Sequence, residues 1–207
     1  MCGRKFSNFT IKSRPFINFY PIVDEQELIK RCLGNDSIAQ KKLYERYAAK
    51  LLGICFRYTS SATEANDVLQ EAFIKIFEKL ETLHEAGALE AWMRKITVTT
   101  ALNYLKKNRK HQFTEQIDDY LNMGEEETAY ARLGTEELMQ LIQELPLNYR
   151  TVFNLYALDG YTHRDIGHQL GINASTSRAY YSRARAMLIR KIQLIDQSDA
   201  AYLQRWG

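Results

Sequence analysis

The helix signals between Thr162 and Asn173 constrain the fold of this chain more than any other feature of its sequence. Thr162 is a good N-cap residue, and Asp165 follows at the third helical position, so the pair predicts a capping box. Gly171 then ends a short helix, because glycine adopts the left-handed conformation at no steric cost. Asn173 can cap a second helix directly afterwards. The stretch therefore predicts two helices joined by a tight turn.

The second of these helices is basic, since no acidic residue occurs between Ala174 and Ile195. Its cations are Arg178, Arg183, Arg185, Arg190 and Lys191. A short helix, a tight turn and a basic second helix form the layout that places side chains in the major groove of DNA. A helical hairpin with a solvated arginine face would show the same local pattern, so this stretch alone leaves both interpretations open.

The composition is that of a soluble globular protein, with 45% hydrophobic and 26% charged residues. A chain of 207 residues can form one large domain or two small ones, each with a core. Cys2, Cys32 and Cys55 form no close metal-ligand pair, and they indicate reduced thiols in a cytosolic protein.

No stretch predicts a membrane span or a catalytic centre. The segment from Ile96 to Leu105 is uncharged, but it is too short and too polar to cross a bilayer. The chain has no phosphate-binding glycine loop, and His163 and His168 do not share a helix face. The sequence therefore predicts no enzyme activity, no metal and no cofactor.

Residues 1–23 show no clear periodicity of hydrophobic residues, and we predict that they form an N-terminal extension. From residue 24 the pattern is helical. An apolar stripe ends at Gly34, and either Asp36 or Ser37 can cap a longer second helix.

Two further helices complete a first module, residues 24–112. Ser61 and Glu64 predict a capping box before the third helix. That helix has an apolar inward face and an outward row that carries Asp67, Gln70, Glu71, Lys75 and Glu78. The fourth helix runs from about Ala88 to Lys107. Four amphipathic helices of this kind predict one all-helical domain.

The fourth helix is unusual in its charge, since residues 91–114 contain no acidic side chain. Basic residues and aromatic rings alternate there, namely Trp92, Arg94, Lys95, Tyr104, Lys106, Lys107, Arg109 and Lys110. Cations neutralise phosphates and flat rings accept unpaired bases, so the pattern suits a nucleic acid with exposed bases. Core packing would also explain Trp92, and a solvated helix end that interacts with the helix dipole would also explain the last cations.

An acidic stretch separates this helix from a second module. Residues 113–134 contain six carboxylates and no helical stripe, which predicts a flexible linker. Thr135 is a plausible N-cap for an amphipathic helix with the apolar residues Leu138, Leu141, Ile142 and Leu145. Pro146 ends that helix. The second domain is predicted over residues 135–193, and residues 194–207 form a tail.

Three stretches together resemble a known family. They are NDVLQEAFIKIFEKL (66–80), AWMRKITVTTALNYLKKNRK (91–110) and ELPLNYRTVFNLYALDGYTHRDIGHQLGINASTSRAYYSRARAML (144–188). In this order and spacing they resemble bacterial sigma factors of the sigma-70 superfamily, in particular the small extracytoplasmic-function group. The resemblance implies an all-α fold with two small helical domains, a sigma-2-like bundle and a sigma-4-like helix-turn-helix domain, joined by a flexible acidic linker.

The resemblance implies a cytoplasmic transcription initiation factor that is not an enzyme. It would bind core RNA polymerase, recognise the −35 and −10 promoter elements and promote DNA melting, with a non-template base drawn out of the stack. An anti-sigma factor is a further expected partner. No cofactor and no membrane insertion are expected.

The resemblance also assigns three sets of residues. Core polymerase would be bound by Asp67, Gln70, Glu71, Ile74 and Lys75. The −10 element would be bound by Trp92, Arg94, Lys95, Asn103, Lys106, Lys107, Arg109 and Lys110. The −35 element would be bound by Ser175, Thr176, Arg178, Ala179, Ser182, Arg183 and Arg185.

Some positions depart from the family pattern. Ser177 replaces a usual valine, Tyr180 and Tyr181 stand where basic or polar residues are common, and Asn103 replaces a common aspartate. Gly167 replaces a usual alanine, and we expect this to weaken its helix by up to about 1 kcal/mol. These changes leave the fold prediction intact and make the promoter sequence uncertain.

Two other functions fit parts of the sequence. A helix-turn-helix regulator that never binds polymerase explains residues 135–192 but neither the basic helix at 91–110 nor the acidic linker. If the chain is a helical scaffold with two solvated basic faces, we expect no DNA binding, and we expect its binding to any other partner to depend only weakly on salt concentration.

Overall fold

The computed structural model describes residues 24–108 and 134–206, with side chains as far as Ile195 except that of Thr135. The first domain contains α1 (Glu25–Leu33), α2 (Ser37–Tyr58), α3 (Ala62–Lys79) and α4 (Leu89–Asn108), with short 3-10 turns at Leu80–Thr82 and Ala86–Ala88. The second domain contains α5 (Thr135–Gln143), α6 (Leu147–Phe153), α7 (His163–Leu170) and α8 (Ala174–Trp206). The predicted all-α fold with two helical domains is confirmed. The predicted extension and most of the predicted linker lie outside the described residues.

Capping residues set the helix starts of the first domain. Asp36, one of the two predicted candidates, caps α2 by accepting hydrogen bonds from the amides of Ile38 and Ala39 at 2.9 and 3.2 Å. Ser61 caps α3 as predicted, since its hydroxyl accepts from the Glu64 amide at 3.2 Å. The second half of that capping box is wrong, because the Glu64 carboxylate accepts instead from the amide of Ser60 at 2.7 Å.

The core of the first domain lies between α2, α3 and α4, and α1 covers one side of α2. Apolar residues at helical spacing meet there with no exposed surface, for example Leu43, Leu51, Val68, Ile76 and Met93. Burial of each such side chain contributes about 1.5–3 kcal/mol. Cys32 and Cys55 are also buried in this core.

The N-cap of α5 lies one residue earlier than predicted. Gly134, not Thr135, is the N-cap of α5, and its amide donates to the Glu137 carboxylate at 3.0 Å. Leu141, Ile142 and Leu145 are buried as predicted, but Leu138 is 37% exposed. Leu138 lies in the first turn of α5, which packs against α8.

A π-helical turn, Asn154–Leu158, continues α6 and ends at Asp159. Gly160 follows with a φ of 73° and turns the chain towards α7. Such wide turns are rare and often lie at functional positions. Here the turn directs Asn154 and Asp159 towards the C-terminal end of α2, where the two domains meet.

The segment predicted as a C-terminal tail continues α8, which is helical as far as Trp206. None of the helices in the described ranges is long and apolar enough to cross a membrane.

Candidate nucleic-acid interfaces

The helix-turn-helix has the geometry that the sequence predicted. The Thr162 hydroxyl accepts from the amide of Asp165 at 3.2 Å, and the Asp165 carboxylate accepts from the amide of Thr162 at 3.3 Å. Hydrogen bonding to Thr162 holds the pKa of Asp165 below its usual value. Gly171 has a φ of 71°, and the Asn173 side chain accepts from the Thr176 amide at 2.6 Å. Together these contacts set where α7 ends and where α8 begins.

The N-terminal half of α8 presents a polar face. We call it the −35 face, and its members are the predicted residues Ser175, Thr176, Arg178, Ala179, Ser182, Arg183 and Arg185. The side chains of this face are exposed or half-buried. The opposite side of α8 packs into the domain through Ser177, Tyr180, Ala184 and Leu188. The fold therefore presents every predicted −35 residue to solvent on a helix that is held rigidly from behind.

Two of the residues that depart from the family pattern, Ser177 and Tyr180, lie buried behind this face. Ser177 has no exposed surface, and its hydroxyl lies 2.9 Å from Nδ1 of His163. The His163 ring stacks on Tyr156 with a centroid distance of 4.2 Å and an interplanar angle of 10°. Tyr180 packs edge-to-face against Tyr149 at 5.3 Å. These polar and aromatic contacts replace a simple apolar packing of α8.

Burial, together with the nearby Arg178 guanidinium, lowers the pKa of His163. The imidazole is therefore neutral at neutral pH and can hydrogen-bond Ser177 without adding charge beside the −35 face. This contact could not be predicted from the sequence, because His163 and Ser177 are on different helices and fourteen residues apart.

Gly167 is the point of closest approach between α7 and the turn. A Cβ atom added there would lie 2.7 Å from the carbonyl oxygen of Ile172, much closer than ordinary van der Waals contact. The Ile172 amide also donates to the Gly167 carbonyl at 3.1 Å. The expectation that glycine weakens this helix relative to alanine is therefore wrong, because an alanine would collide with the backbone.

A pocket of about 340 Å³ lies between α3 and α4. It brings together three predicted −10 residues, Trp92, Lys95 and Asn103, and adds Lys75 and Lys79 from α3. Trp92 is half-buried and packs against the core, so one part of it supports the fold and another part lines the pocket. An aromatic ring, an amide and three ammonium groups in one pocket can hold a base and its phosphate.

The remaining predicted −10 residues extend along α4. Arg94 is exposed on a second side of the helix, near the second domain. Lys106 and Lys107 are exposed in the last turn, where their charges interact favourably with the helix dipole. Arg109 and Lys110 lie outside the described residues.

The predicted polymerase-binding residues form one row on α3. Asp67, Gln70, Glu71 and Ile74 are exposed, and Lys75 is half-buried beside Glu71 with a separation of 2.5 Å. Their spacing of three and four residues places them on one helix face. Ile74 is 58% exposed in the middle of this row, so the row offers an apolar contact surrounded by charges.

Lys79 and Thr99, which were not predicted from the sequence, also line the pocket between α3 and α4, which we call the −10 pocket after the role predicted for Trp92, Lys95 and Asn103. Lys79 follows Lys75 by one helical turn, and that spacing could have indicated it. The part of the chain that the structure describes holds no group of three or more potential metal ligands.

Two family models match separate parts of the chain. Residues 43–111 match the family model Sigma-70 region 2, and residues 135–188 match Sigma-70, region 4. The chain is 30% identical over 181 residues to the ECF RNA polymerase sigma-E factor of Haemophilus influenzae, covering 82% of this chain and 95% of the relative. It is 29% identical over 181 residues to the RNA polymerase sigma-H factor of Pseudomonas aeruginosa, covering 82% and 94%.

Among solved structures, the chain is similar to the sigma factor RpoE in complex with the anti-sigma factor NepR from Bartonella quintana. The sequence identity is 18%, the TM-score is 0.46, and the match covers 74% of this chain and 96% of the other. The −10 pocket lies within the region 2 match and the −35 face within the region 4 match. By its two matched regions and its curated relatives, the chain belongs to the extracytoplasmic-function group of the sigma-70 family of RNA polymerase sigma factors.

Proposed function

We propose that this sigma factor binds core RNA polymerase through the row on α3, reads the −35 element with the −35 face of α8 and opens the −10 element along α4. In this assignment residues 24–112 form the domain for polymerase and the −10 element, and residues 135–193 form the domain for the −35 element. The protein acts as an initiation factor in the cytoplasm, without catalytic chemistry of its own.

The observation that carries this proposal is the −10 pocket. A regulator that only binds duplex DNA needs a recognition helix and has no use for a pocket that accepts an unpaired base. Drawing a base out of the stack costs a few kcal/mol, and stacking on an aromatic ring returns about 1–3 kcal/mol. Trp92 supplies such a ring, and Lys75, Lys79 and Lys95 supply cations for the adjoining phosphates.

The row on α3 supports the assignment of the polymerase contact. Ile74 is a large apolar side chain that is 58% exposed, and charged residues of α3 surround it. An apolar centre with a polar rim is the usual composition of a protein-binding surface. An anti-sigma factor that covers the same row would compete with polymerase, and we propose it as a second partner.

The experiment is size-exclusion chromatography with purified bacterial core RNA polymerase. Wild-type protein should co-elute with the polymerase, and the double variant Asp67→Lys, Glu71→Lys should not. The matched control reverses two exposed carboxylates on other helices of the same domain, Glu27→Lys and Glu45→Lys, and should co-elute as wild type does. If both double variants co-elute, the contact lies elsewhere. If wild type ignores the polymerase but binds duplex DNA, an ordinary helix-turn-helix regulator becomes the better account.

A further inference from the structure

The turn before α8 determines the residue at which this helix begins. Gly171 and the Asn173 cap make the contacts that set this start. These contacts involve only the chain around the turn, and they constrain the rotation of α8 about its own axis only weakly. A side-chain tip roughly 6 Å from the helix axis moves roughly 1 Å for each 10° of rotation. Because a binding site needs its groups placed to within about 0.5 Å, a further contact is needed to fix the rotation.

His163, the first residue of α7, supplies such a contact. Its Nδ1 atom lies 2.9 Å from the hydroxyl oxygen of Ser177, and Ser177 has no exposed surface. A hydrogen bond is directional and weakens steeply when its angle changes. The hydrogen bond also reaches α8 from a neighbouring helix, so a rotation of α8 would break it.

An aromatic stack holds the His163 ring in place. The ring lies on Tyr156, with a centroid distance of 4.2 Å and an interplanar angle of 10°, and Tyr156 belongs to the π-helical turn Asn154–Leu158. Tyr156 also contacts Tyr181 at a centroid distance of 4.6 Å. Tyr181 follows Ser177 by four residues, and so it lies one turn further along the same side of α8. The stack therefore attaches α8 to its neighbours at two successive turns.

This contact lies directly behind residues of the −35 face. Thr176 and Arg178 flank Ser177 in the chain, and Arg178 is exposed. Burial, together with the Arg178 guanidinium, lowers the pKa of His163, so the ring is uncharged at neutral pH and does not attract phosphates. Loss of the contact should therefore impair the reading of bases and leave sequence-independent binding unchanged.

We propose that His163 is a positioning residue for the −35 element, which acts through Ser177 and Tyr156 to hold Thr176 and Arg178 in the orientation that reads the bases. A valine, usual at the position of Ser177 in the family, would make only a non-directional apolar contact there. The inference rests on the proposed function, because it concerns the accuracy with which the −35 face reads promoter DNA.

The test uses the complex of the full chain with purified bacterial core RNA polymerase. The wild-type complex first selects duplexes from a random-sequence pool. Fluorescence anisotropy at neutral pH and fixed salt then measures the affinity of each variant complex for one selected duplex and for the unselected pool. The ratio of these two affinities is the specificity ratio, and loosening of the domain that weakens both affinities equally leaves this ratio unchanged.

The variants Ser177→Val and Ser177→Thr form a matched pair, because valine and threonine differ chiefly in the hydroxyl group. We expect Ser177→Val to lower the specificity ratio roughly tenfold, about the value of one base contact, and Ser177→Thr to retain it. His163→Phe keeps a flat ring on Tyr156 but removes the hydrogen bond, and it should lower the ratio by a similar factor. His168→Phe, at an exposed histidine of the same helix, is the control and should retain the wild-type ratio.

Equal specificity ratios for Ser177→Val and Ser177→Thr would overturn the proposal. An equal loss of affinity for the selected duplex and for the pool would also overturn it. Thermal unfolding followed by circular dichroism checks that each variant is folded, and His163→Phe decides the question if a serine variant is not. Failure of the proposed function would appear separately, because the wild-type complex would then not form or would select no duplex from the pool.

Discussion

Replacement of Gly167 by alanine gives the sharpest test of the helix-turn-helix geometry. An alanine in the interior of an unobstructed helix stabilises it by about 1 kcal/mol relative to glycine. At Gly167, however, the new Cβ would lie 2.7 Å from the Ile172 carbonyl oxygen, whereas ordinary contact begins at 3.4 Å. The colliding atom belongs to the backbone of the turn, so it cannot rotate away as a side chain could.

The expected magnitude follows from these two opposing effects. Overpacking in a close-packed region costs typically about 1–3 kcal/mol, and the gain in helix propensity offsets about 1 kcal/mol of it. We therefore expect Gly167→Ala to lower the free energy of unfolding of the second domain by about 1 kcal/mol. For a domain of this size that corresponds to a fall in Tm of roughly 4–8 °C. The displaced turn should also weaken binding to −35 DNA.

Gly53→Ala is the matched control. Gly53 lies exposed in the middle of α2, and a Cβ atom there would meet nothing within 4 Å. This variant should raise the free energy of unfolding of the first domain by about 1 kcal/mol. Thermal and urea unfolding followed by circular dichroism measure both changes on the full chain. If Gly167→Ala stabilises the protein as Gly53→Ala does, the close approach at the turn is refuted.

Two further predictions concern the recognition helix. Arg178→Ala should weaken binding by about 1–3 kcal/mol on one promoter sequence and by less on others. Fluorescence anisotropy with several duplexes measures this difference, and Arg190→Ala, at another exposed arginine of α8, serves as the control. A uniform loss across all duplexes would make Arg178 a phosphate contact. The lowered pKa of His163 means that the unfolded state binds its proton first, so this group reduces stability as the pH falls from 6.5 towards the folded pKa. In His163→Gln, the free energy of unfolding from urea titrations should fall less over that pH range than in wild type. An unchanged pH dependence would contradict the lowered pKa of His163.

Local signals in the sequence were enough to predict the helices and much of the candidate site. The capping pair Thr162 and Asp165 and the cap at Asn173 are found as predicted, because a cap involves only residues within one helical turn. The same holds for the exposure of Arg178, which follows from the period of α8. The family resemblance added the predicted roles of α3 and α4, which periodicity alone does not supply.

Tertiary structure decided the features that depend on distant residues. The −10 pocket requires Lys79 of α3 and Trp92 of α4 to face each other, and Gly167 is explained only by the carbonyl of Ile172 above it. Arg57 and Asp159 are 102 residues apart, and neither carries a local signal of its partner. Caps and periodicity depend on the chain within a turn or two of each residue. Pockets, close approaches and buried ion pairs depend on which surfaces the packed helices bring together, and the folded structure alone determines that.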